Sequence, residues 1–131
     1  MKPRVLRTPL HYAAADAKPE VLAQLIAEGG NVNAQDSSGW APLHFAAQAL
    51  STECVSLLLA AGAQVDIQDS FGNTPLARAV FGYLGDGSLI QLLRAAGADP
   101  HLKNKHGISP VELACSITNR DVAKFFADTA A

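Results

Sequence analysis

Apolar residues recur along this chain in short blocks at helical spacing, separated by polar stretches that contain glycine. Val21, Leu22, Leu25 and Ile26 fall on one face of a predicted helix. A shorter block of small residues, Ala13 to Ala15, precedes it, and Ala46 and Ala47 hold the same place in the next block. Each pair of blocks opens on one tetrapeptide: Thr8-Pro9-Leu10-His11, Ala41-Pro42-Leu43-His44, Thr74-Pro75-Leu76-Ala77 and Ser109-Pro110-Val111-Glu112. Its prolines step by 33, 33 and 35 residues. A Thr or Ser before Pro caps a helix whose first residue needs no N–H, so each tetrapeptide predicts a helix start. Gly29, Gly62 and Gly97 fall where a left-handed C-terminal cap ends the second helix. The polar stretches then close on Asp36 to Gly39 and Asp69 to Gly72, which is turn chemistry and predicts a projecting hairpin-like finger at each junction.

A period of this size with this signature resembles the ankyrin repeat. Thr8-Pro9-Leu10-His11-Tyr12-Ala13-Ala14 and Gly62-Ala63-Gln64-Val65-Asp66 lie close to the family pattern, and the likeness runs from about Thr8 to the C-terminus. It implies an all-α solenoid of four helix–turn–helix units in one domain, residues 1–131. The units fall at 8–40, 41–73, 74–108 and 109–131, after a lead-in over 1–7. The fourth departs most, with Asn104 for the turn Asp and Ser109, Val111 and Glu112 for Thr, Leu and His.

The outer units should carry a wetter flank, because a repeat cannot bury its own apolar face. Gln24 stands where the middle units have Leu57 and Leu92, and Ala127 corresponds to Leu59. A self-contained array is therefore expected, with Phe125 and Phe126 packed inward and Lys124 and Asp128 in water. The two extra residues of the third unit fall in Gly82 to Gly87. That loop is read either as neutral lengthening or as a lip on a binding groove.

Composition narrows the class. Of 131 residues 49% are apolar, which suits a packed core. A net charge of -2 favours neither nucleic acid nor a membrane surface as partner. Lys2, Arg4 and Arg7 and the pair Lys103 and Lys105 are the local basic clusters. Thr8 and Pro9 interrupt any signal-like apolar run after the basic start, and the stretch Val55 to Val65 is too short to span a bilayer, so a cytoplasmic protein is expected. Cys54 and Cys115 read as two buried small hydrophobes in a reducing compartment.

Little in the chain carries chemistry. His11 and His44 recur with the repeat, and the family assigns that histidine to the capping hydroxyl and the neighbouring backbone. His101 and His106 lack acidic or thiol partners at ligand spacing. The serines sit in turns or caps without G-x-S-x-G, and Gly82, Gly85 and Gly87 follow no predicted strand, which argues against a phosphate loop. Neither an enzyme nor a cofactor is expected.

What remains is a surface. In ankyrin-like proteins partners meet the finger tips and the exposed side of the first helices. By position this implies a partner-binding set of Trp40, Phe71, Asn73, Arg78, Phe81, Tyr83, His106 and Ile108. Arg78 takes the slot of Tyr12, Phe45 and Leu113, so its guanidinium either meets a partner carboxylate or turns to solvent. The leading function is a non-catalytic module, monomeric when free, that binds another protein. The chain also resembles short stand-alone ankyrin proteins of bacteria, some of which are inhibitors or immunity partners of toxic effectors. The rivals are a small-ligand or metal protein using His101, His106 and the Gly82 to Gly87 loop, and a structural or oligomerisation spacer.

Overall fold

The computed structural model describes residues 7–116 and 121–129. The expected lead-in up to residue 6, with Lys2 and Arg4, lies outside them, as do 117–120 and 130–131 of the fourth unit. The described chain forms α1 (Pro9–Ala15), α2 (Pro19–Ala27), α3 (Pro42–Gln48), α4 (Thr52–Ala60), α5 (Pro75–Phe81), α6 (Ser88–Ala95), α7 (Pro110–Ser116) and a closing 3₁₀ helix (Val122–Thr129). The first helices stack in one layer, α1 on α3 on α5 on α7, and α2, α4 and α6 stack behind them. The 3₁₀ helix packs on α7. This is the all-α repeat solenoid that the periodicity predicts.

Small side chains set the spacing of the first layer. Ala14, Ala46 and Ala47 are fully buried, with Ala79 and Ala114 nearly so. A larger residue at Ala46 would overpack that seam by about 1–3 kcal/mol. The second helices supply the bulk of the core through Leu22, Val55, Leu58, Ile90 and Leu93, and Val122 and Phe126 extend it into the 3₁₀ helix. Lys124 and Asp128 stay exposed, as their polarity requires.

Both layers end their helices the same way. Gly97, at φ +99°, donates from N to Arg94 O, and Ala98 N reaches back to Leu93 O. That is a left-handed cap satisfying the last carbonyls, and Gly29 and Gly62 repeat it. The first helices use the same cap without glycine: Ala17 and Leu50 sit at φ +54° and +58°. Tyr83, the next residue in that column, has no positive φ, and the chain leaves the template there.

The fingers are tight turns, with no strand among the described residues. Asp36 Oδ1 accepts from Ser38 N and Trp40 N, both at 2.9 Å. Asp69 Oδ1 does the same for Phe71 N and Asn73 N, and Asn104 Oδ1 for His106 N and Ile108 N. Asn104 therefore replaces the turn aspartate without loss of geometry. Successive fingers join through Ser70 N to Ser38 O and Lys105 N to Phe71 O, each 2.9 Å. Gln35 Nε2 and Gln68 Nε2 each bridge their own finger to the next.

One cysteine departs from expectation. Cys54 is buried in α4, but Cys115 is exposed at an open hollow that Val111 of α7 and Ala123 of the 3₁₀ helix also line.

Candidate protein-binding surface

The recurring histidines hold the fingers against the first helices. His11 Nδ1 accepts from Thr8 N at 2.9 Å, and His44 Nδ1 accepts from Ala41 N at 3.0 Å. An N–H donor at Nδ1 fixes the proton on Nε2, which then donates to Trp40 O and Asn73 O respectively, both at 2.8 Å. Each histidine thus ties its helix start to the following finger. Burial holds the His44 pKa below the ordinary imidazole value, which keeps it a neutral tie. In the second unit Ala41 offers no hydroxyl, and the imidazole alone satisfies the backbone N–H. In the fourth unit Glu112 takes the histidine's place: its Oε1 accepts from Ser109 N at 3.0 Å, and Ser109 Oγ accepts from Glu112 N at 3.2 Å. This reciprocal capping box keeps the helix start intact.

On the frame of fingers and first helices, two arginines and three aromatic rings form one strip. Arg7 lies over the Phe45 ring (5.0 Å), and Phe45 packs on Trp40 (4.7 Å). Arg78 lies over Trp40 (4.6 Å) and over Phe81 (5.4 Å). Each arginine is pinned by the buried aspartate of a finger. Arg7 Nε donates to Asp36 Oδ2 and Arg78 Nη2 to Asp69 Oδ2, both at 3.2 Å. Both aspartate side chains are wholly buried, while Arg7 and Arg78 are 37% and 19% exposed, so the cations are the outward members. A hollow of about 360 Å³ beside the strip is lined by Arg7, Asp36, Ser38, Trp40, Phe45 and Gln48.

The residues expected at this surface divide. Phe71, Phe81 and Ile108 are large exposed apolar side chains, His106 is exposed, and Trp40 and Arg78 are partly exposed. Asn73 and Tyr83 do not belong to an open surface. Asn73 is buried and its Oδ1 accepts from Asn104 Nδ2 at 2.9 Å, so it ties two fingers together. Tyr83 is 3% exposed; its hydroxyl donates to Asp121 Oδ1 at 2.7 Å and its ring meets Phe125 edge-on at 5.7 Å. The Gly82 to Gly87 loop is thereby drawn inward, bracing α5 against the 3₁₀ helix. Its outward apolar residue is Leu84, 82% exposed.

Arg7 and Phe45 were not singled out from sequence, although the period carries the signal for Arg7. Position 7 precedes Trp40 by one repeat, and both flank a tetrapeptide. A larger hollow, about 480 Å³, lies between α2 and α4, away from the fingers, and includes Pro19, Glu20, Thr52, Glu53 and Leu57. It offers no aromatic anchor, so the strip is the better interface candidate. Among the described residues no cluster of His, Cys, Asp and Glu could hold a metal ion, and no helix is long and apolar enough to cross a membrane.

A family model for three copies of the ankyrin repeat matches residues 10–85, and a model for the single ankyrin repeat matches 71–105. A search of curated proteins returns no match. Ankyrin repeats generally mediate protein–protein interactions and are typically non-catalytic. With matched helix pairs, capped and cross-tied fingers and these two model matches, the chain belongs to the ankyrin-repeat family.

Proposed function

We propose that this chain, monomeric when free, is a non-catalytic module that takes another protein on its finger and first-helix face. The supporting observation is the strip running Arg7, Phe45, Trp40, Arg78 and Phe81, with Phe71 exposed on the adjoining finger. Aromatic and arginine side chains anchor interfaces because they bury much area for little lost freedom, and here the ring stack already fixes them. The test is affinity capture from the source cell with the native chain and with Phe71→Ala/Phe81→Ala. A protein held in near-stoichiometric amount by the first and lost by the second supports the reading. Equal retention by both would place the interface elsewhere. Within this class, the resemblance to short bacterial ankyrin chains supports a finer role, inhibition of a toxic effector. Co-purification with such an effector, and loss of its toxicity, tests that role.

A further inference from the structure

The strip has a charge character that the whole chain lacks. The net charge is -2, yet the cations on the finger face point outward and its finger carboxylates are sealed. Asp36 and Asp69 spend themselves inside, each on two backbone N–H groups and one arginine. The arginines are not spent in return. Arg78 uses only Nη2; its Nε is buried without a partner, while Nη1 has no partner among the described residues and is not sealed. Arg7 uses only Nε. Lys105 is exposed on the third finger with no side-chain partner among the described residues, whereas neighbouring Lys103 is already matched by Glu112 at 2.9 Å. By contrast, Glu20 and Glu53 line the hollow between α2 and α4. The face with the aromatic anchors is the face with unmatched positive donors.

A guanidinium held between two rings, its fork partly unspent, is a preorganised receptor for a carboxylate. The flanking Phe81 ring, 49% exposed, asks for apolar cover. We infer that the partner docks through an acidic–apolar segment, setting an Asp or Glu side chain on Arg78 and an apolar side chain against Phe81. This rests on the protein-binding reading above and adds the chemistry of the partner.

The experiment pans a random 12-residue displayed peptide library on the immobilised full chain and measures the enriched peptides against variants. Expected is enrichment of Asp or Glu beside a large apolar residue. Affinity should fall with rising salt and drop about tenfold on Arg78→Gln. Because that variant strands Asp69, Lys105→Glu serves as a second one; its side chain supports nothing internal, and it should weaken the same peptides several-fold. Enriched peptides that need Phe71 and Phe81 but show no acidic preference, or ignore both charge changes, overturn this inference and leave the protein-binding reading standing. Peptides indifferent to Phe71→Ala/Phe81→Ala, or no enrichment, count against both. Displacement of the peptides by an oligothymidylate of similar length would assign the strip to a nucleic-acid strand and overturn the inference as well.

Discussion

The Arg78 guanidinium lies over the Trp40 ring, 4.6 Å from its centroid, although Trp40 closes the first unit and Arg78 lies in the third. The same side chain neutralises the buried Asp69, so one residue joins two fingers and a first helix. Cation–ring attraction at a half-covered site contributes about 1 kcal/mol, and a stranded buried carboxylate costs more. Arg78→Ala should therefore destabilise the fold by about 2 kcal/mol, discounted for the two backbone donors that still serve Asp69. Arg78→Lys should cost less, keeping the charge but losing the planar fork. Trp40 is the only tryptophan, so its emission in a urea titration reports both stability and ring environment. An unchanged midpoint with unchanged emission would remove the strip's claim to rigidity.

Gly87 is needed for space. A Cβ there would run into Cζ of Phe125, so the ring, which now meets Tyr83 edge-on, must shift. Gly87→Ala should cost about 1–3 kcal/mol, felt mainly in the closing 3₁₀ helix. Hydrogen exchange should speed up over 122–127 and stay slow in α3. Phe125→Leu in the same chain should recover part of the loss, since both changes address one contact. Simple additivity of the two would show that the loop does not brace the last unit.

Much of this architecture is legible before any coordinates, because each device repeats. The Pro-opened helices, the glycine caps and the Asx-centred fingers recur at one period, so each copy vouches for the others. The surface is less legible, because exposure depends on what crosses between units. Asn73 looks like a finger-tip polar residue, yet the Asn104 amide reaches it from the next finger. Tyr83 looks like an aromatic in an open loop, but its hydroxyl partner Asp121 lies 38 residues on, outside any periodic relation. Arg78 breaks its column, and sequence shows the break without showing that Asp69 and Trp40 accept it.

Ala17 carries backbone strain that costs nothing to relieve. Its φ of +54° is a left-handed conformation in which a Cβ is unfavourable, and its side chain is exposed. Ala17→Gly should raise stability by up to about 1 kcal/mol, read as a higher melting temperature. Leu50 has the same geometry at φ +58° but packs against the core. Leu50→Gly should destabilise, because lost burial outweighs relief. Opposite signs at two equivalent positions are the outcome to look for; loss of stability at both would mean that the caps are unstrained.

Acid should weaken the protein in two stages with different origins. His44 has its pKa depressed by burial, so below its ordinary value of 6.5 the unfolded chain takes up a proton that the native chain refuses. Stability tied to His44 is complete above pH 6.5 and declines as pH falls toward the folded value. Glu112 has its carboxyl lowered to about 2 by Lys103 first, then by the Ser109 backbone and hydroxyl. Its contribution is present above its ordinary value of 4.5 and is lost as pH falls from there toward 2. Salt screens that second stage, because Lys103 and Glu112 are both more than half exposed, and it hardly touches the first. His44→Gln, whose amide can accept from Ala41 N and donate to Asn73 O, should flatten the decline just below pH 6.5 at some cost in absolute stability. Glu112→Gln should reduce only the lower limb, whose remainder belongs to Asp86, Asp121 and Asp128, each lowered by its own partner. A single limb abolished by both changes would show that one coupled group, and not two separate helix starts, governs the acid response.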